Sequence, residues 1–254
     1  MRRPVRARAP RRGAGTHRRD ISRDIPDREI GGTAVIGPDR GPVSSGTVAG
    51  VILAAGSSTR MGTPKALLDA GGATFAARLV DTLARGGCAS VVVVAGSGAG
   101  PVAEEVARIP ARLVVNTDGR GGQLGSLRAA LAELGTAGDP PAAIVFTPVD
   151  NPAVAPGTVA ALIGAWRRGH AAIVAPEYRG KRGHPVLVDM TIAPEFLEAG
   201  LPEGARTVVR RDPARVLQVP VDDPAILDDL DTPDRYGERF PRRGATGRNT
   251  PAAR

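Results

Sequence analysis

The chain has 254 residues and a formal charge of +8, from 34 Lys+Arg against 26 Asp+Glu. That charge sits at the ends: residues 1–46 hold 11 Arg, no Lys and five acids, and 241–254 hold four Arg and no acid, so +6 and +4 belong to the tails and 47–240 is left at −2. A mildly acidic body disfavours duplex binding by a basic folded face, seven aromatics are too few for base-stacking platforms, and one cysteine, Cys88, excludes a disulfide framework or a multi-cysteine zinc site.

Residues 1–46 are rich in Arg, Gly and Pro, with no sustained apolar period. Such a segment buries too little apolar surface to offset its ordering entropy, so disorder is expected here and again over 241–254. A mis-assigned start codon is the alternative reading of the first segment. The arginine pairs at 11–12 and 18–19 are followed by polar sequence, not the apolar region of an export signal. No apolar run approaches the roughly 18 residues of a membrane span. The expectation is a cytoplasmic protein with one domain over 47–240.

Within that domain, apolar β-rich runs occur at Thr47–Ala55, Ser90–Ala95, Arg112–Asn116, Ala142–Thr147, Ala171–Ala175, Pro185–Val188 and Arg215–Val221. Helical periodicity falls between them, roughly over 64–85, 101–109, 123–135, 156–168, 191–199, 204–211 and 232–240. Continuous apolar strands alternating with helices predict an α/β fold, a mostly parallel sheet covered on both faces. Ligands of such sheets bind beyond the carboxyl ends of the strands, so the residues just after each strand are the ones to read.

The first strand runs into Leu53-Ala54-Ala55-Gly56-Ser57-Ser58-Thr59-Arg60-Met61-Gly62-Thr63-Pro64-Lys65. Small residues let backbone amides approach an anion, Pro64 is suited to opening a helix whose positive end faces the same anion, and Arg60 and Lys65 add two charges. These are parts for a triphosphate cradle. The run is not a Walker loop, having one residue too many between Gly56 and Gly62 and Thr63 where Lys is required. The dinucleotide fingerprint is absent too. The bland alternative is a Gly-rich turn with a surface Arg and Lys.

The run LAAGSSTRMGTPKALL resembles the signature LAAGxSxRMGxxK of the MobA-like nucleotidyltransferases, most closely the molybdenum cofactor cytidylyltransferases. The likeness extends through most of 48–240. It implies a Rossmann-like three-layer α/β/α sandwich, of the nucleotide-diphospho-sugar transferase type, that moves NMP from an NTP to an acceptor phosphate and releases pyrophosphate. It places nucleotide contacts at Leu53, Ala54, Ala55, Gly56, Ser57, Arg60 and Lys65. The Ala-Ala-Gly form is associated in that family with CTP, the Ala-Gly-Gly form with GTP.

Four further segments match in order. Gly122-Gln123-Leu124-Gly125-Ser126-Leu127 is similar to the family's GQxxSL and opens a helix after the third strand. There the Gln123 amide, the Ser126 hydroxyl and the amide of Gly122 are placed to read a base edge or ribose, with an ordinary capped surface helix as the alternative. Phe146-Thr147-Pro148-Val149-Asp150-Asn151-Pro152 ends the fourth strand. A carboxylate in the ligand crevice suits Mg²⁺, and Asp150 resembles the family's metal-binding aspartate; an Asp turn before Pro is the alternative.

Lys181-Arg182-Gly183-His184-Pro185-Val186 resembles the GHPV segment on the acceptor side. The acceptor is already an anion, which needs positioning more than deprotonation, so His184 reads as structural or a polar wall. Lys181 and Arg182 either hold the acceptor phosphate or are solvated charges. Asp228-Asp229-Leu230-Asp231-Thr232-Pro233 resembles the family's DxDTP. Asp229 and Asp231 alternate along an extended segment and so share a face, and either can join Asp150 on the metal. Thr232 or Asp231 can also cap the last helix, with Pro233 first in it. Arg206, in a family-like Gly-Ala-Arg segment, has no evident duty.

The combined expectation is a Mg²⁺-dependent enzyme transferring CMP from CTP to the phosphate of molybdopterin, with Arg60, Lys65 and Asp150 catalytic and a molybdenum hydroxylase as the downstream partner. The alternatives are an NTP transferase using another phosphorylated acceptor, such as a sugar phosphate, or a non-catalytic chaperone delivering the cofactor. Cys88, between a helix and an apolar strand, reads as a buried small hydrophobe. Nucleic-acid binding is left to the first 46 residues.

Overall fold

Val48–Leu53 (β1) and Ala143–Pro148 (β4) are six-residue strands buried at every position. Only a central strand covered on both faces can bury side chains of both parities. The structure, a computed structural model, describes residues 46–56, 62–118, 121–169 and 171–241. Apart from Gly46 and Pro241, the segments expected to be disordered lie outside these residues.

In chain order the remaining elements are α1 (Phe75–Arg85), β2 (Ser90–Gly96), α2 (Gly100–Val106), β3 (Arg112–Asn116), α3 (Gly122–Gly135), α4 (Pro156–Gly169), β5 (Ile173–Tyr178), β6 (Lys181–Arg182), β7 (Val186–Asp189), α5 (Ala193–Leu197), α6 (Ala205–Arg211), β8 (Val216–Pro220) and α7 (Pro233–Arg239). The sheet runs β3-β2-β1-β4-β7-β5-β6, with β8 also on β5. Pairings β1·β2, β2·β3, β1·β4 and β5·β8 are parallel, and β7 is antiparallel to both β4 and β5. The fold is the mostly parallel, helix-flanked sheet that the sequence predicts.

The strands sort their residues between two cores. Val48, Ile52, Val93 and Val145 face Phe75, Leu79, Leu83 and Leu162 of α1 and α4. Val51, Leu53, Val92 and Ile144 face Leu127, Leu131, Phe196 and Val208 of α3, α5 and α6. Phe75 is fully buried, a contribution of about 2–3 kcal/mol for one side chain. Cys88 is buried, and burial pushes its thiol up to about 12, which fits a packing residue rather than a nucleophile.

The helix expected over 64–85 is not continuous. A 3₁₀ turn covers Lys65–Leu67, a tight loop follows, and α1 starts at Phe75. Asp69 accepts hydrogen bonds from the amides of Gly71 (3.3 Å) and Gly72 (2.7 Å), both glycines having positive φ. That local bonding competes with helix. Thr74 restarts it, accepting from Ala77 N at 3.0 Å while donating to Glu105 at 2.7 Å. No α-helix therefore begins at Pro64, and the expected helix dipole behind the cradle is absent. The helix expected at 191–199 is likewise a 3₁₀ turn, Met190–Ile192, followed by the short α5.

At the C-terminal end, Tyr236 and Phe240 pack on Phe75 with ring centroids 5.9 and 5.7 Å away. Tyr236 Oη also donates to the Asp69 carbonyl at 2.9 Å. This fastens α7 to α1 and fixes where the acidic segment before it can lie. Among the described residues no helix is long and apolar enough to cross a membrane.

Candidate active site

The strand order reverses between β1 and β4, with Leu53 opposite Pro148 in the register. Both chains leave the sheet at one edge, opening the crevice in which α/β folds hold ligands. Ala54 N donates to Val94 O at 2.8 Å and Val149 N to Leu53 O at 3.1 Å, which anchors the start of both loops. Ala54 and Ala55 are half-buried and Gly56 is exposed, with nothing among the described residues within 4 Å of where its Cβ would be. Ser57 and Arg60 lie outside the described residues.

Lys65 opens the 3₁₀ turn and reaches across the crevice. Its Nζ donates to Asp150 Oδ2 at 3.0 Å and to Asp231 Oδ1, with only 15% of the side chain exposed. Burial works against the ammonium, but the hydrogen bonds to Asp231 and Asp150 and their charges outweigh it, so its pKa is raised above the ordinary lysine value. It is a fixed cation.

Asp150, Asp229 and Asp231 each bring a carboxylate oxygen within 4.8 Å of the other two. Burial first, then the charges of Asp231 and Asp150, push the Asp229 carboxyl above its usual range, with Lys65 opposing. Three converging hard oxygen donors with mutual repulsion fit a divalent cation such as Mg²⁺ or Mn²⁺. The structure thus brings all three acids named from the sequence together. Thr232, not Asp231, caps α7, accepting from Arg235 N at 3.4 Å.

Asn151 organises this cluster and was not singled out from the sequence. It is 2% exposed, and its Nδ2 donates to the Asp228 carbonyl. Leu230 N donates to the Asp150 carbonyl at 3.3 Å, and Leu230 is itself buried. The residue pair after β4 therefore grips the acidic segment by its backbone. Asp223, also unsuspected, accepts from Ala155 N (2.9 Å), Thr158 Oγ1 (2.7 Å) and Ala225 N (3.1 Å), tying the following turn to α4. The signal for Asn151 was its place directly after a strand-end aspartate; that for Asp223, its place directly before Pro224.

A cleft of about 1020 Å³ adjoins this centre. Its apolar lining includes Leu53, Phe146, Val186 and Ile226, and Lys181, Arg182, His184 and Gln123 stand around it. The expected acceptor-side residues are thus brought together. Lys181 and Arg182 form β6, a two-residue strand too short and too charged to show a period. It pairs with β5 through a tight turn at Arg179 (φ 50°) and Gly180 (φ 77°). Gly183 is required by contact: a Cβ there would lie 2.0 Å from the Ile226 carbonyl oxygen, which also accepts from His184 N at 2.9 Å.

The His184 ring meets Phe146 edge-on at 6.0 Å, and its Nδ1 is buried without a hydrogen-bond partner. Burial pushes its pKa down to about 4; Asp150 opposes the shift and Arg206 adds to it. A neutral imidazole of that basicity suits a wall, not a general base at neutral pH. On α3, Gln123 lines the cleft and Gly122 is exposed at the helix start, after Gly121 at φ 94°. Ser126 is 2% exposed, and its hydroxyl donates back to the Gly122 carbonyl at 3.3 Å.

The profile of the MobA-like NTP transferase domain matches residues 50–216. Nicotine blue oxidoreductase of Paenarthrobacter nicotinovorans is 33% identical over 193 residues, covering 73% of this chain and 92% of that protein. The crystal structure of Rv0371c from Mycobacterium tuberculosis superposes with a TM-score of 0.65 at 30% identity, over 76% of this chain and 97% of that one. The manganese complex of the same mycobacterial protein gives 0.62 at 29%, over 76% and 97%. With Gly56, Lys65 and the strand-end Asp150 inside the matched span, and Asp229 and Asp231 just beyond it, this chain belongs to the MobA-like NTP transferase domain family and is a nucleotidyltransferase.

Proposed function

We propose that the protein transfers CMP from CTP to the terminal phosphate of molybdopterin and releases pyrophosphate, with a divalent metal. The observation that carries this reading is Lys65, held between Asp150 and Asp231 at the mouth of the strand crevice. The acceptor's phosphate oxygen attacks the α-phosphorus in line, the bond from that phosphorus to the bridging oxygen breaks, and pyrophosphate leaves with the electron pair. Lys65, with Arg60, stabilises the charge gathering on the β- and γ-phosphates. Gly56, after β1, lets the backbone approach the triphosphate, and Gln123, at the start of α3, is placed to read base or ribose. Asp150, Asp229 and Asp231 would hold a divalent ion, which would supply charge neutralisation to the transfer. That a mycobacterial relative binds manganese supports such an ion, and the Ala-Ala-Gly loop supports CTP.

No residue is asked to deprotonate the nucleophile, in keeping with the low basicity of His184. Incubation with α-labelled CTP, Mg²⁺ or Mn²⁺ and molybdopterin tests the proposal: label is expected in the acceptor with one pyrophosphate per transfer. CTP is expected to outpace GTP by about tenfold or more, the discrimination of a well-placed hydrogen bond. If neither molybdopterin nor any sugar phosphate draws pyrophosphate from any NTP, the transfer reading is wrong.

A second reading rests on one observation, that the 33%-identical relative is named an oxidoreductase. On this reading the cleft holds a flat redox-active compound. Oxidation of a reduced nicotinamide nucleotide by a dye-like acceptor, with no NTP present, would favour it over transfer.

A further inference from the structure

The arginines of the α6 region have unequal duties. Arg210 pairs with Glu203, Arg211 with Glu195 and Glu198 at 3.0 and 2.8 Å, and Arg215 with Glu195 at 2.6 Å. Arg206 has no acidic partner and no hydrogen bond among the described residues, yet it lines the cleft. It does so with Val209 and Arg210, the i, i+3, i+4 stripe of α6, while Val208 on the other face is fully buried. The helix therefore presents Arg206 to the cleft because its apolar side is committed to the core.

The charge lining the cleft is unbalanced toward cations. Its two carboxylates are both compensated: Glu203 by Arg210, and Asp228 by Arg239, whose Nε lies 3.0 Å from Oδ2 in an ion pair poorly angled for a hydrogen bond. Lys181, Arg182 and Arg206 are left as uncompensated cations around an apolar floor. The field of Arg206 also reaches His184, where it opposes protonation. Arg206 is exposed, as Lys181 and Arg182 are, but it stands on a helix anchored by the burial of Val208 and by the ion pairs of Arg210 and Arg211, whereas they sit on a two-residue hairpin strand. A guanidinium carried on a fixed helix can bind a phosphate with two parallel hydrogen bonds, which a lysine cannot do.

Resting on the transfer reading of this same site, we infer that Arg206 is the specificity-determining anchor for the acceptor's phosphate, selecting a phosphate monoester on an apolar or heteroaromatic body over its dephosphorylated form. Lys181 and Arg182 supply the general attraction and Arg206 the fixed contact. The full-length protein can be tested with riboflavin 5′-phosphate and riboflavin, which differ only in the phosphate and whose fluorescence reports binding. The phosphorylated probe is expected to bind roughly ten- to hundredfold more tightly. Arg206→Met should abolish that difference, Arg206→Lys should restore part of it, and neither should alter the affinity for CTP with Mn²⁺. Saturating CTP should leave the probe bound.

Equal binding of the two probes, binding of neither, an undiminished difference in Arg206→Met, or displacement of the probe by CTP would each overturn the assignment. The two readings fail separately. Absence of CMP transfer with the Arg206-dependent difference intact removes the reaction and keeps the anchor; normal transfer without the difference removes the anchor alone.

Discussion

The crevice at the ends of β1 and β4 and the cleft beneath β6 and α6 are neighbours built on opposite electrostatic plans. In the crevice, Lys65 is surrounded by Asp150 and Asp231, with Asp229 beside them, so one cation is set against three acids and acid is in excess. In the cleft the acids are paired and three cations are not. An acidic centre calls for a metal and a basic one for an anion. On the proposed transfer reaction, the contrast assigns the nucleotide and its metal to the strand ends and the phosphorylated acceptor to the side of α6. It also explains why the net charge of 47–240 says little, since local excesses of both signs are placed a few residues apart.

The sharpest way to break the contrast is to remove the acid all other parts converge on. Asp150→Asn keeps the shape and the hydrogen-bonding capacity but deletes one charge of the cluster. Turnover should fall by about 10³-fold, the scale of losing a charge-stabilising group in a transfer reaction. Mn²⁺ binding, followed by the paramagnetic resonance of the free ion, should weaken in parallel. An Asp150→Asn enzyme within tenfold of the parent would show that the acidic centre is not where chemistry occurs.

Lys65→Met should come next, with kcat lowered by about 10²-fold. Its effect on acceptor KM should be small, because the lysine belongs to the nucleotide side of the comparison. Steady-state kinetics with each substrate varied in turn separates the two. A rise confined to acceptor KM would erase the division of labour between crevice and cleft.

Asn151→Ala probes the support of the crevice. Without the hydrogen bond from Nδ2 to the Asp228 carbonyl, Asp229 and Asp231 lose their register against Asp150. Removal of an outer support of this kind should weaken Mn²⁺ binding by about tenfold. Acceptor-probe binding in the cleft should hold. Calorimetric titration with Mn²⁺ and fluorescence titration with riboflavin 5′-phosphate make the pair of readings, and equal losses in both would mean simple unfolding.

How legible these two regions were from sequence differs for a physical reason. The crevice opens where the continuous apolar strands β1 and β4 end, and the burial of both faces that makes such strands readable also fixes where they end. Asp150 and Lys65 could be placed on that basis. The cleft is assembled from a two-residue strand, a seven-residue helix and a 3₁₀ turn, none long enough to show a period. Among Arg206, Arg210, Arg211 and Arg215 only the folded ion pairs reveal which one is uncommitted. The over-long helix at 64–85 failed differently. Its apolar period is genuine from Phe75 onward, but the Asp69, Gly71 and Gly72 turn overrode helix propensity before it. Asn151 was passed over because a side chain that bonds a distant carbonyl leaves no local pattern.

The smallest expected effect concerns the wall between the two regions. His184 is held neutral, with a pKa of about 4 against an ordinary 6.5, chiefly by burial. The unfolded chain accepts that proton below about pH 6.5 and the folded protein does not until about pH 4, so stability contributed by the neutral ring is present above 6.5 and lost as pH falls between the two values. Urea midpoints measured from pH 8 to pH 4.5 should therefore drop more steeply in the parent than in His184→Gln, which cannot take up the proton. Above pH 7 both curves should be flat with respect to this residue. Because burial is the chief cause of the shift and Arg206 adds to it, an imidazole that titrated near 6.5 in the folded protein would mean that water reaches the ring and that it is not the buried wall described above.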